Sequence, residues 1–77
     1  MTWIKLTDVG GPDYVNLDQV YKIIVDTGTL TLTFYDANSI LPTTYTFAAL
    51  TDLQETLAKL ESLARIIDLD NLAPQQQ

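Results

Sequence analysis

Leu50-Thr51-Asp52-Leu53-Gln54-Glu55-Thr56-Leu57-Ala58-Lys59-Leu60-Glu61-Ser62-Leu63-Ala64-Arg65-Ile66-Ile67 decides the fold. Leu50, Leu53, Leu57, Leu60, Ala64 and Ile67 recur at the alternating three- and four-residue spacing of one helix face, with no Gly or Pro between them. The stretch predicts one amphipathic helix of about 26 Å at 1.5 Å per residue. Thr51 followed by Gln54 matches a capping box, in which each side chain satisfies a free amide at the helix start. Glu55 with Lys59 and Glu61 with Arg65 stand at i,i+4 in the favourable order, about 0.2 to 0.5 kcal/mol each. The helix is expected to fray near Asp68. Ala73-Pro74-Gln75-Gln76-Gln77 reads as disordered, which gives one domain over 1–70 and a tail over 71–77.

Upstream of this helix the period changes to two. Ile4 and Leu6 alternate with Lys5 and Thr7, a half-buried strand over Trp3 to Thr7. Gly10-Gly11-Pro12 turns the chain, and Tyr14 to Leu17 completes a hairpin. Asn16, Asp18 and Gln19 around Leu17 can satisfy a bent backbone locally, predicting a short kink or single turn before the β-branched run Val20 to Asp26. Asp26-Thr27-Gly28 reads as a tight turn. Thr29 to Asp36 is the clearest strand, with Leu30, Leu32 and Phe34 on one face and Thr29, Thr31, Thr33 and Tyr35 on the other. Ala37 to Pro42 reads as a loop. Thr43 to Phe47 then puts Thr43, Tyr45 and Phe47 on one side and Thr44 and Thr46 on the other.

With the kinked segment counted as one strand, the reading is α+β: a single four-stranded antiparallel sheet followed by one C-terminal helix packed on one face. Short turns favour antiparallel neighbours, and an apolar sheet face needs a cover. The helix is the cover this reading supplies. Its buried leucines are worth about 1.5 to 3 kcal/mol each, so Leu53→Asp and Leu57→Asp are both expected to be severely disruptive.

Composition limits what such a domain can do. A chain of 77 residues hides only about 60% of its unfolded surface, and small scaffolds compensate with disulfides, a metal or oligomerisation. The chain contains neither Cys nor His. That removes a disulfide and the usual structural zinc ligands, and no cofactor is expected. Ten acidic against four basic residues give a net charge of −6. Lys5, Lys22, Lys59 and Arg65 are scattered, whereas phosphate neutralisation needs clustered cations, so nucleic acid and anionic membranes are disfavoured. No apolar run reaches the roughly 18 to 20 residues of a membrane span, and Met1-Thr2-Trp3-Ile4-Lys5 lacks the regions of a signal peptide. The expected location is cytoplasmic.

No motif rises to a chemical signature, and the chain reads as non-catalytic. General acid–base work most often uses His, and nucleophilic catalysis pairs Ser or Cys with a base. Asp68 and Asp70 are the closest acids but lie where the helix should fray. Asp68-Leu69-Asp70-Asn71 has the start of a calcium loop, yet Ala73 occupies the position of the turn glycine and the chain ends before the bidentate Glu. Gly10-Gly11 has no lysine-containing phosphate pattern around it and no helix just after it, so it is read as a turn.

Two surfaces remain. Thr31, Thr33, Tyr35, Thr44 and Thr46 form an uncharged polar sheet face, either simply solvated or a binding face. Leu60, Leu63, Ile66, Ile67 and Leu69 supply more apolar surface than one small sheet covers. They predict a homodimer interface, the alternative being a segment folded back over the first hairpin. The expected function is a self-associating protein-interaction module. The alternative is a single-stranded nucleic-acid-binding domain acting as a dimer.

The order Ile4-Lys5-Leu6-Thr7, Gly10-Gly11, then Tyr14-Val15-Asn16-Leu17-Asp18-Gln19-Val20-Tyr21-Lys22-Ile23 resembles the opening of the small FlbD-type flagellar proteins. The resemblance covers about the first 35 residues. It implies a sheet-plus-helix layout and carries no functional residue. Ala37 to Pro42 stands where that family has a tight Asn-Gly type turn, and the helix is longer. Single-strand-binding domains of the transcriptional coactivator type share the element order by fold analogy alone.

Overall fold

A computed structural model of the chain describes residues 2–64 and 69–70. Among the described residues, five strands precede one helix: β1 (Trp3–Asp8), β2 (Gly11–Asn16), β3 (Val20–Asp26), β4 (Thr31–Asp36), β5 (Thr43–Thr46) and α1 (Leu50–Ala64). A 3-10 turn at Leu17–Gln19 separates β2 from β3. The class is α+β with antiparallel pairing throughout, but the strands form two sheets, β1-β2 and β3-β4-β5, and not one sheet of four.

The 3-10 turn causes that division. The Asn16 side chain accepts a hydrogen bond from the Asp18 N–H at 3.1 Å, and the Val20 N–H bonds the Leu17 C=O, so the kink closes into a full helical turn. Such a turn redirects the chain, and β3 pairs with β4 alone. The Ala37 N–H donates to the Gln19 C=O at 2.8 Å and the Asn38 amide to Gln19 Oε1 at 2.7 Å, fixing the turn to the far end of β4.

In the hairpin, Asp8 faces Gly11 across the Val9-Gly10 turn, and Gly11 has φ +104°, a conformation that side-chain-bearing residues rarely adopt. The Leu17 N–H bonds the Thr2 C=O at 2.8 Å, which fixes the phase of the ladder. Even-numbered β1 residues therefore point their backbone groups at β2, and odd-numbered ones point away. The outer margin of β2 has lost two of its donors to further pairing: Pro12 has no N–H, and the Tyr14 N–H donates to the Asp13 carboxylate at 3.0 Å.

The sheets meet at one corner. The Val9 N–H donates to the Thr46 C=O at 3.0 Å, and Asp8 Oδ2 accepts from the Thr46 N–H at 3.0 Å while Asp8 Oδ1 holds the Gly10 N–H at 3.0 Å. Between the two sheets and α1 lies one core of Leu6, Leu32, Phe34, Tyr45, Phe47, Leu53 and Leu60. The hairpin thus shares with the helix the task of covering the three-stranded sheet. Phe34 and Tyr45 meet edge-on, ring centroids 5.5 Å apart.

The helix begins two residues earlier than a capping box at Thr51 requires. The Leu53 N–H bonds the Ala49 C=O at 3.3 Å, which places Thr51 inside the first turn, where its side chain is past the cap position. Leu53 and Leu60 are buried and Leu57 half-buried, whereas Leu50, Leu63 and Ala64 are exposed. Ile67, the last position of the predicted stripe, and Arg65, the partner expected for Glu61, lie outside the described residues.

Candidate functional site

β1 and α1 line an open groove of about 670 Å3. Its floor is apolar, from Leu6, Phe47 and Leu60, and Trp3 and Leu63 stand on its rim. α1 starts beside the Thr46–Val9 corner and lines the groove from Asp52 to Leu63, while β1 lines it from Trp3 to Val9. The helix therefore runs antiparallel to the strand. Asp8, Asp52 and Glu55 lie toward the corner and Lys5 and Lys59 toward the open end, so the groove is acidic at one end and basic at the other. The phase of the hairpin ladder aims the backbone N–H and C=O groups of Trp3, Lys5 and Thr7 into this space. Among the described residues, those three have no hydrogen-bond partner there, and the next group in phase, the Val9 N–H, is taken by Thr46.

The predicted interface residues divide. Leu60 is only 4% exposed and belongs to the core, which removes it from any surface; its position one helix turn beyond Leu57 still falls over the hairpin, whose Leu6 it joins. Leu63 is 59% exposed and Leu69 is 76% exposed. Ile66 and Ile67 lie outside the described residues. Trp3, 58% exposed on the groove rim, was not among the predicted interface residues, although a tryptophan on a two-residue-period strand was a readable signal. Ile40 and Leu41, exposed in the β4–β5 loop, were also missed behind the loop signals of Asn38, Ser39 and Pro42.

The threonine face is assembled as its alternation predicts. Thr31 pairs with Thr46 and Thr33 with Thr44, and the Thr33 and Thr44 hydroxyls are 3.1 Å apart. Tyr35 lies opposite Lys22, whose Nζ sits 5.5 Å from the ring centroid, and Tyr21 at the β3 bulge lies 6.2 Å from Tyr35. The cross-strand threonine bond uses hydroxyl capacity that a ligand would otherwise take.

Chemistry at the Tyr45 hydroxyl is structural. It donates to Asp13 Oδ2 at 2.9 Å across the two sheets. Burial first, then this hydrogen bond and the nearby charges of Asp13 and Asp8, push its pKa from 10.0 up to about 12. The group is a locked donor and not a nucleophile. Gly10-Gly11 forms the hairpin turn with no helix behind it. Asp68 lies outside the described residues and Asp70 is exposed. Among the described residues, no three acids or other metal-binding side chains come together to hold an ion, and no helix is long and apolar enough to cross a membrane.

No family model matches the chain, no curated protein matches it and no solved structure matches it.

Proposed function

We propose that the chain is a non-catalytic protein-interaction module that self-associates. The observation carrying this reading is the groove between β1 and α1: an apolar floor, the exposed rim residues Trp3 and Leu63, and three unpaired backbone positions along one wall. Its volume of about 670 Å3 is also ample for a small ligand. The lining, however, contains no imidazole or thiol, and the Asp8 carboxylate is committed to Gly10 and Thr46. Protein contact is the use that an open trough with a bare strand edge serves best. Light scattering after size exclusion at high micromolar concentration is expected to give twice the chain mass, and Leu63→Asp to shift the population toward monomer. A wild-type monomer under those conditions, indistinguishable from Leu63→Asp, rejects the reading.

A second reading rests on the Tyr21, Tyr35 and Lys22 cluster beside the threonine face, since bases stack on aromatic rings next to a cation. The net charge of −6 opposes it. Titration with a fluorescent single-stranded oligonucleotide at low salt decides: binding that is lost in Tyr35→Ala supports this use of the face, and a flat titration eliminates it.

A further inference from the structure

We propose that the groove is a strand-acceptor site whose occupant is the same strand of a second copy, two β1 strands pairing antiparallel about a two-fold axis. This rests on the self-association reading above and names its surface, its partner and its register.

Four observations converge on that arrangement. The Trp3, Lys5 and Thr7 backbone groups face the groove unpaired among the described residues, while the opposite margin of the hairpin has lost two donors, at Pro12 and at Tyr14, whose N–H bonds the Asp13 carboxylate. The β1 side of the hairpin is therefore the better strand acceptor. The groove is polarised along its length, Asp8, Asp52 and Glu55 toward one end and Lys5 and Lys59 toward the other. A two-fold axis perpendicular to the strand brings the basic end of each copy to the acidic end of the other, which makes the surface complementary to itself. An axis through Leu6 sets Lys5 opposite Thr7 of the second copy and so avoids facing lysines. That same register sets Trp3, 58% exposed, opposite Val9, 64% exposed, and buries both. Because the Val9 N–H keeps its bond to Thr46, the Trp3–Val9 pair makes one of the two hydrogen bonds of a full antiparallel pair, from the Trp3 N–H to the Val9 C=O.

The chain has no Cys, so engineered thiols report on this contact without background. In a bonded antiparallel pair the Cα atoms lie about 5.5 Å apart, inside the range a disulfide spans. The Lys5→Cys, Thr7→Cys double variant is therefore expected to form a covalent dimer on mild oxidation at micromolar concentration, and each single variant to stay uncrosslinked. Light scattering on the wild type is run beside it. A dimeric wild type whose double variant fails to crosslink overturns this inference and leaves self-association standing. Crosslinking by Lys5→Cys alone overturns the register, and a monomeric wild type overturns both readings and leaves the groove to an unrelated peptide. Lys5→Pro gives an independent measure. Lys5 faces Tyr14 at an unbonded pair, so proline there removes the edge donor without taking a hydrogen bond from the hairpin. With the circular dichroism spectrum unchanged, the dimer dissociation constant is expected to rise at least about tenfold, the weight of one or two hydrogen bonds; unchanged dimerisation would falsify the edge pairing.

Discussion

Tyr45 shows how much one side chain can bind together. Its ring packs edge-on against Phe34 in the core, and its hydroxyl crosses to Asp13 on the hairpin. Its folded pKa of about 12 lies above the ordinary value of 10.0 carried by the unfolded chain. The folded state therefore holds the proton more tightly. This contribution to stability is complete below pH 10 and is lost as pH rises toward 12. Denaturant titrations at stepped pH are expected to show that loss in the wild type and a flat profile between pH 10 and 12 in Tyr45→Phe. At neutral pH Tyr45→Phe itself should cost only about 1 kcal/mol, because the exposed Asp13 carboxylate regains water. A parallel decline in both proteins would assign the alkaline loss to other groups. Leu30 is a residue at which two demands conflict: φ is +59°, yet its side chain packs against the core. Turn geometry alone favours Gly there, whereas the leucine adds apolar surface against the core.

At the scale of elements, α1 separates its leucines by depth more sharply than its periodicity does. Leu53 is fully buried and Leu57 only half-buried, so the two aspartate substitutions are not equivalent. Leu53→Asp is expected to abolish cooperative thermal unfolding. Leu57→Asp should cost about 1 to 3 kcal/mol and leave a folded protein, since its carboxylate can reach solvent. Equal losses in thermal melts would show that the helix docks less specifically than its packing implies. The strand faces were legible because alternation is local: Leu32 and Phe34 against Thr31, Thr33 and Tyr35 needed no knowledge of a partner strand. The break at Leu17–Gln19 was legible as a bend but not as a boundary between sheets. Asn16, Asp18 and Gln19 signal that the backbone curves, whereas the pairing of β3 is decided by β4 and the loop that follows. Thr51 misled for a related reason, since a helix start depends on which carbonyl the chain presents after Phe47, and Ala49 presents it first.

For the whole molecule, the groove was out of reach of sequence reasoning because its walls lie more than forty residues apart in the chain. Leu60 looked like surface when the helix was measured against a single flat sheet; the hairpin, set at an angle by the 3-10 turn, extends the core to meet it. With seven buried core side chains among the described residues and neither Cys nor His in the sequence, stability should depend on association. The thermal midpoint is accordingly expected to climb with protein concentration, each tenfold step adding about 1.4 kcal/mol per dimer, or a few degrees. A midpoint constant from micromolar to millimolar concentration would detach stability from assembly.

The loss of β2 donors at Pro12 and Tyr14 also limits how far such assembly can propagate. Were two hairpins to join through their bare sides, both outer boundaries of the joint sheet would be copies of the donor-poor β2 margin. In that arrangement recruitment along the joint sheet would be disfavoured beyond a pair, and raising the concentration would fill dimers without seeding a fibril from the hairpin.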